Sequence, residues 1–187
     1  MSDMNYTQLF ERWVALTTLS EDDRKQLIDR LHESVVTSVQ ALAGLASSEM
    51  AHILDEAKFE KRDEYLKTAA PIMALGALDG YLLSLMVSGI NPETADLSKN
   101  DAVKGIADIW GKSYEKDQNM SYLNKVDPII GLFLGKITEL RINQALAMYP
   151  TIVDLPYKTT EKLHQYIGWS VHQGFVLGAI EEELSHG

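Results

Sequence analysis

The apolar residues of this chain repeat with the period of an α-helix almost from end to end, and this pattern restricts the fold more than any other feature. Side chains three and four residues apart lie on one face of a helix, whereas a half-buried strand needs strict alternation of apolar and polar residues. No convincing alternating run is present. We therefore expect an all-α protein, a bundle of six or seven helices with few or no strands.

The helical pattern divides into segments that begin at capping residues and end at glycine or proline. Gly44 and the pair Ser47-Ser48 are expected to separate the second helix from the third. Residues 116–125 are polar and are expected to form a mobile loop; the pattern leaves open whether this loop is a lid. The predicted helices cover about 6–17, 20–42, 47–57, 69–88, 100–114, 127–148 and 159–187, joined by connectors at 91–100 and 150–158.

The last predicted helix is apolar on nearly every face and leaves only a narrow polar stripe. A helix of this kind is normally surrounded by others, so we expect it to be the central helix of the bundle. No long flexible linker divides the chain, which predicts a single helical domain over residues 1–187. The alternative is a looser N-terminal helical part, 1–66, that packs on a core of residues 67–187.

The balance of charges favours some partners over others. The chain has 17 basic and 27 acidic residues and a formal net charge of −10. It lacks the basic surface that binds phosphates, so we expect no nucleic-acid binding, whereas a basic protein partner would be attracted electrostatically. Cysteine is absent, which excludes disulfides, thiol catalysis and cysteine-ligated metal sites.

The sequence predicts a cytoplasmic protein without a membrane span. The N-terminus carries an acid rather than basic residues and resembles no secretory signal. The segment 69–90 is mostly apolar but contains Pro71, Asp79 and Ser84. A carboxylate in the middle of a bilayer costs about 3 kcal/mol, so this segment is interpreted as a buried core helix.

Three predicted helices each carry two glycines four residues apart. A glycine inside a helix costs about 1 kcal/mol relative to alanine, so these positions require a reason. The leading interpretation is close packing of helices in the core; the alternatives are a pocket for an apolar ligand and a tight dimer face. The glycines are Gly76, Gly80, Gly131, Gly135, Gly174 and Gly178.

Two charged residues interrupt apolar helix faces, and their signs are opposite. Asp79 lies on the inner face of the fourth helix and Arg141 on that of the sixth. We expect a buried ion pair between these helices, with a purely structural role as the leading interpretation. Alternatively, Arg141 binds an anionic group of a ligand, and Asp79, Tyr81, Trp169 and His172 complete the candidate binding site.

No motif identifies a reaction or a cofactor. Phosphate-binding loops, dinucleotide-binding glycine motifs, nucleophile elbows and zinc-binding helix motifs are all missing from the sequence. Glu49–His52 and Glu183–His186 have the spacing of carboxylate-bridged metal sites, but the inner helix faces offer no partner glutamates, so no metal is expected. The cofactor, if any, is unknown.

The sequence therefore supports three classes of function. The leading hypothesis is a non-enzymatic interaction or regulatory protein that acts through protein–protein contacts and forms a homo-oligomer, such as a homodimer. The second is a small-molecule-binding protein with a pocket for an apolar or anionic ligand between the glycine-containing helices. The third, less favoured, is an enzyme that uses this pocket with His172 or Asp79 as its base.

Overall fold

The computed structural model describes residues 5–186, and every regular element within them is helical, which confirms the all-α prediction. The predicted end of the last helix at residue 187 lies outside the described residues. Two 3-10 turns, Asp101–Val103 and Pro150–Asp154, lie in connections. The eight α-helices are α1 (Tyr6–Thr17), α2 (Glu21–Ile28), α3 (Glu33–Glu56), α4 (Arg62–Val87), α5 (Ile106–Glu115), α6 (Asn119–Asn124), α7 (Pro128–Met148) and α8 (Tyr157–His186).

The second and third predicted helices divide at a different place from the one expected. The chain turns after α2, and His32 caps the start of α3 because its Nδ1 accepts a hydrogen bond from the Ser34 amide (3.1 Å). The helix then continues through Gly44 and Ser47, where a break was predicted. Its buried face crosses that point without interruption, so tertiary packing outweighs the local signals. The buried residues of α3 are Val35, Ser38, Val39, Leu42, Ala43, Ala46, Met50 and Leu54.

Two further helical segments differ from the prediction: α4 is longer than expected, and α6 was not expected at all. The fourth helix begins at Arg62 rather than near 69, and its first turn already buries Tyr65 in the core. The segment 116–125, expected to be a loop, contains the short helix α6. Its first residue, Asn119, is buried and donates from Nδ2 to Oε1 of Gln173 on α8 (2.8 Å). This hydrogen bond joins residues that are far apart in the sequence, so local sequence patterns cannot predict it.

The helix α8 is the central helix, as predicted, and packs against α3, α4, α5, α6 and α7. Its main neighbour is α4, which is long and apolar enough to pass a length-and-composition test for a membrane span. In the bundle, 67% of the most apolar stretch of α4 is buried, which is the burial of a core helix. The buried residues of α4 and α8 therefore form the centre of the bundle.

The contact between α4 and α8 depends on glycine. A Cβ atom added at Gly80 would lie 2.0 Å from the carbonyl oxygen of Val171, and one at Gly174 would lie 1.9 Å from that of Ala77. A Cβ at Gly178 would meet Ser84 Cβ at 2.6 Å. The two backbones approach so closely that no other residue fits, and the crossing is filled by backbone rather than by a cavity.

The glycines of α7 occupy a different environment. Gly131 and Gly135 are exposed, and a Cβ at either position would meet no atom within 4 Å among the described residues. The expectation of close packing therefore does not hold for this pair within residues 5–186. The glycine pair of α7 lies on the outer face of that helix.

Replacing a glycine at the crossing tests this packing. We expect Gly80→Ala to lower the free energy of unfolding by about 3 kcal/mol, the upper range of overpacking, because the new methyl group collides with backbone. The matched control is Gly44→Ala, where α3 is exposed and open, and this variant should gain up to about 1 kcal/mol from helix propensity. Urea denaturation measures both; equal effects of the two changes would contradict the close approach.

Candidate functional site

The predicted ion pair is present and joins α4 to α7. The Arg141 guanidinium donates to a single oxygen of Asp79, from Nε at 2.7 Å and from Nη2 at 2.6 Å. Nη1 of Arg141 donates to Oε1 of Gln144 (2.7 Å). The Arg141 and Asp79 side chains are only 6% and 12% exposed. The guanidinium is therefore occupied by partners within the protein.

Burial and pairing act in opposite directions on the Asp79 carboxyl. Removal from water raises the pKa of Asp79, and the neighbouring Arg141 charge counteracts part of that rise. Breaking such a pair by removing one partner leaves an uncompensated charge in the core. These features are those of a structural cross-link between helices.

Tyr81 lies in a second buried polar cluster, on the side of α4 that faces the end of α8. Its hydroxyl donates to the Glu181 carboxylate, and both residues are almost completely buried. Asn100 Nδ2 donates to the other Glu181 oxygen (3.0 Å). Burial and the adjacent carboxylate raise the pKa of Tyr81, so its hydroxyl stays a hydrogen-bond donor.

Trp169 belongs to an aromatic cluster between α5 and α8. Its ring meets those of Trp110 and Tyr114 edge-on, with centroids 6.2 and 5.9 Å apart, and these two rings stack on each other. The Trp110 indole N–H donates to Oε1 of Gln173 (3.1 Å). Trp169 also lines a groove of about 490 Å³ between α3 and α8, together with Tyr166 and other residues.

His172 interacts within its own helix. Its Nδ1 donates to the carbonyl oxygen of Gly168 (2.7 Å), one turn earlier in α8. Within the described part of the chain, no three His, Asp or Glu side chains lie close enough together to hold a metal ion. Of the five candidate residues, Asp79 and Arg141 are joined by an ion pair, whereas the hydrogen bonds of Tyr81 and His172 go to other residues.

A cavity of about 550 Å³ lies between α7, α8 and the 3-10 turn Pro150–Asp154. Thr138 of α7 and His164 of α8 line it. Each carries a buried polar atom, Oγ1 and Nε2 respectively, that has no hydrogen-bond partner within the described part of the chain. Burial lowers the pKa of the His164 imidazole. Neither residue stands out in the sequence, since each lies within an ordinary helix pattern.

An apolar surface runs across the first and seventh helices, and we call the exposed or half-buried residues Phe10, Trp13, Ile129, Leu132 and Phe133 the α1–α7 surface. The rings of Phe10 and Trp13 lie 6.2 and 5.9 Å from that of Phe133. Leu132 is the most exposed of the five, at 71%. The buried indole N–H of Trp13 has no hydrogen-bond partner among residues 5–186. The sequence suggested this surface only through the glycine pair of α7.

Glu181 is the buried charge that the sequence analysis missed, although the same rule that selected Asp79 would have found it. Glu181 follows Leu177 by four residues and precedes Leu184 by three, so it interrupts an apolar face of α8.

No protein-family model, no curated protein and no solved structure matches the chain.

A double-mutant cycle tests the ion pair. We expect Arg141→Met to cost about 3–5 kcal/mol of unfolding free energy, because it leaves the Asp79 carboxylate buried without a counter-charge. Asp79→Asn combined with Arg141→Met should cost clearly less than the sum of the single changes, with a coupling of up to about 3 kcal/mol. Guanidinium denaturation measures all four proteins, and additive costs would show that the pair contributes nothing specific.

The buried imidazole of His164 predicts a pH effect on stability. Its pKa is lower in the folded protein than in the unfolded chain, so the unfolded chain binds more protons in weakly acidic solution. This contribution is fully present above the unfolded value of about 6.5 and is lost as the pH falls towards the lowered folded value. In urea denaturation between pH 7.5 and 5, the free energy of unfolding should fall less steeply with pH for His164→Phe than for the original protein; identical slopes of the two proteins would contradict the assignment.

Proposed function

We propose that this chain is a non-enzymatic interaction protein that associates with a second copy of itself through the α1–α7 surface. The observation that carries the proposal is the exposure of the outer face of α7. One side of this helix packs on α4 and α8, but the opposite side leaves Ile129, Leu132, Leu140 and Met148 between 39% and 71% exposed. Exposed apolar residues that adjoin one another are typical of a surface that a partner covers.

The aromatic residues of the α1–α7 surface support a protein partner. Phe10, Trp13 and Phe133 form a contiguous cluster with Leu132 beside it. Large aromatic side chains dominate the binding energy of protein interfaces, and a contiguous exposed apolar patch is typical of them. The outward glycines, Gly131 and Gly135, leave room for another helix to approach the backbone of α7.

The charges of this face favour a second copy over a strongly charged partner. Between Ile129 and Leu140 the only charged residues are Lys136 and Glu139, which pair with each other at 2.7 Å and leave no net charge. The whole chain carries −10, so two copies repel each other as a whole, and a contact region without net charge adds nothing to this repulsion. In a two-fold contact, Lys136 of each copy can also meet Glu139 of the other, because such a contact is self-complementary.

The mass of the protein in solution tests the proposal. We expect light scattering after size exclusion to give about twice the monomer mass of 20.9 kDa at high concentration. Leu132→Glu should weaken association by roughly thirtyfold or more, about 2 kcal/mol, because it places an unpaired carboxylate in the contact.

The control is Leu45→Glu, which changes a leucine that is 49% exposed on α3, outside the α1–α7 surface. This variant should associate like the original protein, and both variants should unfold at similar denaturant concentrations. A monomer at all concentrations, or equal weakening by the two variants, would overturn the proposal.

A further inference from the structure

We propose that the cavity between α7, α8 and the 3-10 turn Pro150–Asp154 binds a small, uncharged, mainly apolar molecule that carries a hydroxyl or carbonyl group. This site lies apart from the α1–α7 surface and does not depend on self-association. Its volume of about 550 Å³ is within the range of small-molecule sites, roughly 300–1,000 Å³.

The walls of the cavity determine what can bind. Ile142 contributes from α7, and Val153 and Leu155 contribute from the connection to α8. These side chains offer an apolar surface on which an apolar molecule can pack. Gly168 lies on the α8 side, where a Cβ would meet Thr138 Cγ2 at 3.1 Å, so the two helices lie close together there.

Two residues of this cavity have hydrogen-bonding capacity that the protein leaves unused. Oγ1 of Thr138 and Nε2 of His164 are hidden from solvent and have no partner. Seven side-chain atoms among residues 5–186 share this condition, and two of them belong to residues of this one cavity. A buried polar atom without a partner is unfavourable, so a ligand or an ordered water that supplied the bond would be retained.

The charge of the walls selects against anions. Glu161 is the one formally charged side chain among the lining residues, and no lysine or arginine is among them. Arg141, one residue before Ile142, is already paired with Asp79 and hydrogen-bonded to Gln144. An anionic ligand would thus meet a carboxylate and no cation. Burial lowers the pKa of His164, so its ring is neutral at pH 7 and offers one donor and one acceptor.

The test uses 2-naphthol as the neutral probe and 2-naphthoate as its anionic counterpart, with the full-length protein at pH 7.5. We expect saturable binding of 2-naphthol in calorimetric titrations and at least tenfold weaker binding of 2-naphthoate. In ¹H–¹⁵N spectra, the largest shifts on adding 2-naphthol should fall on Thr138, Ile142, residues 153–155, His164 and Gly168.

Three variants separate this site from non-specific binding. Thr138→Val and His164→Phe should each weaken the binding of 2-naphthol by roughly fivefold to tenfold, which is the loss of affinity expected for one hydrogen bond. Thr138→Val should also be at least as stable as the original protein without the probe, because it removes only an unpartnered hydroxyl. Thr68→Val is the matched control on α4, outside the cavity, and should bind 2-naphthol normally.

Several outcomes would overturn the inference. One is the absence of saturable binding, which would leave an ordered water as the occupant. Another is unchanged affinity in both cavity variants, and a third is a set of shifts that maps to other residues. Equal affinity for 2-naphthol and 2-naphthoate would contradict the charge argument. A loss of stability in Thr138→Val would show that the hydroxyl has a partner in the protein.

Discussion

The close approach of α4 and α8 is the contact on which the rest of the bundle depends. Gly80 and Gly174 allow each backbone to touch the other, so the two most buried helices lie at a shorter distance than side chains would permit. The other helices then pack around this pair: α3 contacts both members, and α7 contacts both from another side. The cost of several glycines within helices is offset by the apolar surface that this arrangement buries.

Polar contacts fix the relative positions of these helices at two points, one between α4 and α7 and one within the α4–α8 pair. Asp79 and Arg141 link α4 to α7, whereas Tyr81 and Glu181 link α4 to the far end of α8. Each contact lies between helices that also pack through apolar side chains. Misaligned helices would leave these groups buried without partners, so the contacts favour one arrangement of the bundle over its alternatives. The outer face of α7, in contrast, carries exposed apolar residues and the Lys136–Glu139 pair, and it is the face that we propose meets a second copy.

The fold class, the central helix and the ion pair could be predicted because each follows from a periodic pattern within one helix. The apolar residues of α8 cover nearly all of its faces, and this can be read from that segment alone. Asp79 and Arg141 are each a charged residue on an otherwise apolar helix face. The continuity of α3 through Gly44 could not be predicted, because it depends on the surface against which α3 packs. The same holds for α6, which is docked through Asn119 and Gln173, fifty-four residues apart. The cavity beside His164 depends on three segments that meet only in the folded chain.

The central claim is that the outer face of α7 meets a second copy, and the absence of cysteine permits a direct measurement of the distance between copies. A nitroxide label at Asn143→Cys, an exposed position of α7 outside the α1–α7 surface, reports distances between copies by pulsed electron spin resonance without filling the contact. The account predicts a defined dipolar distance that is clearly shorter than the one from a label at Gly44→Cys on α3. No dipolar modulation from Asn143→Cys, or a shorter distance from Gly44→Cys, would contradict it.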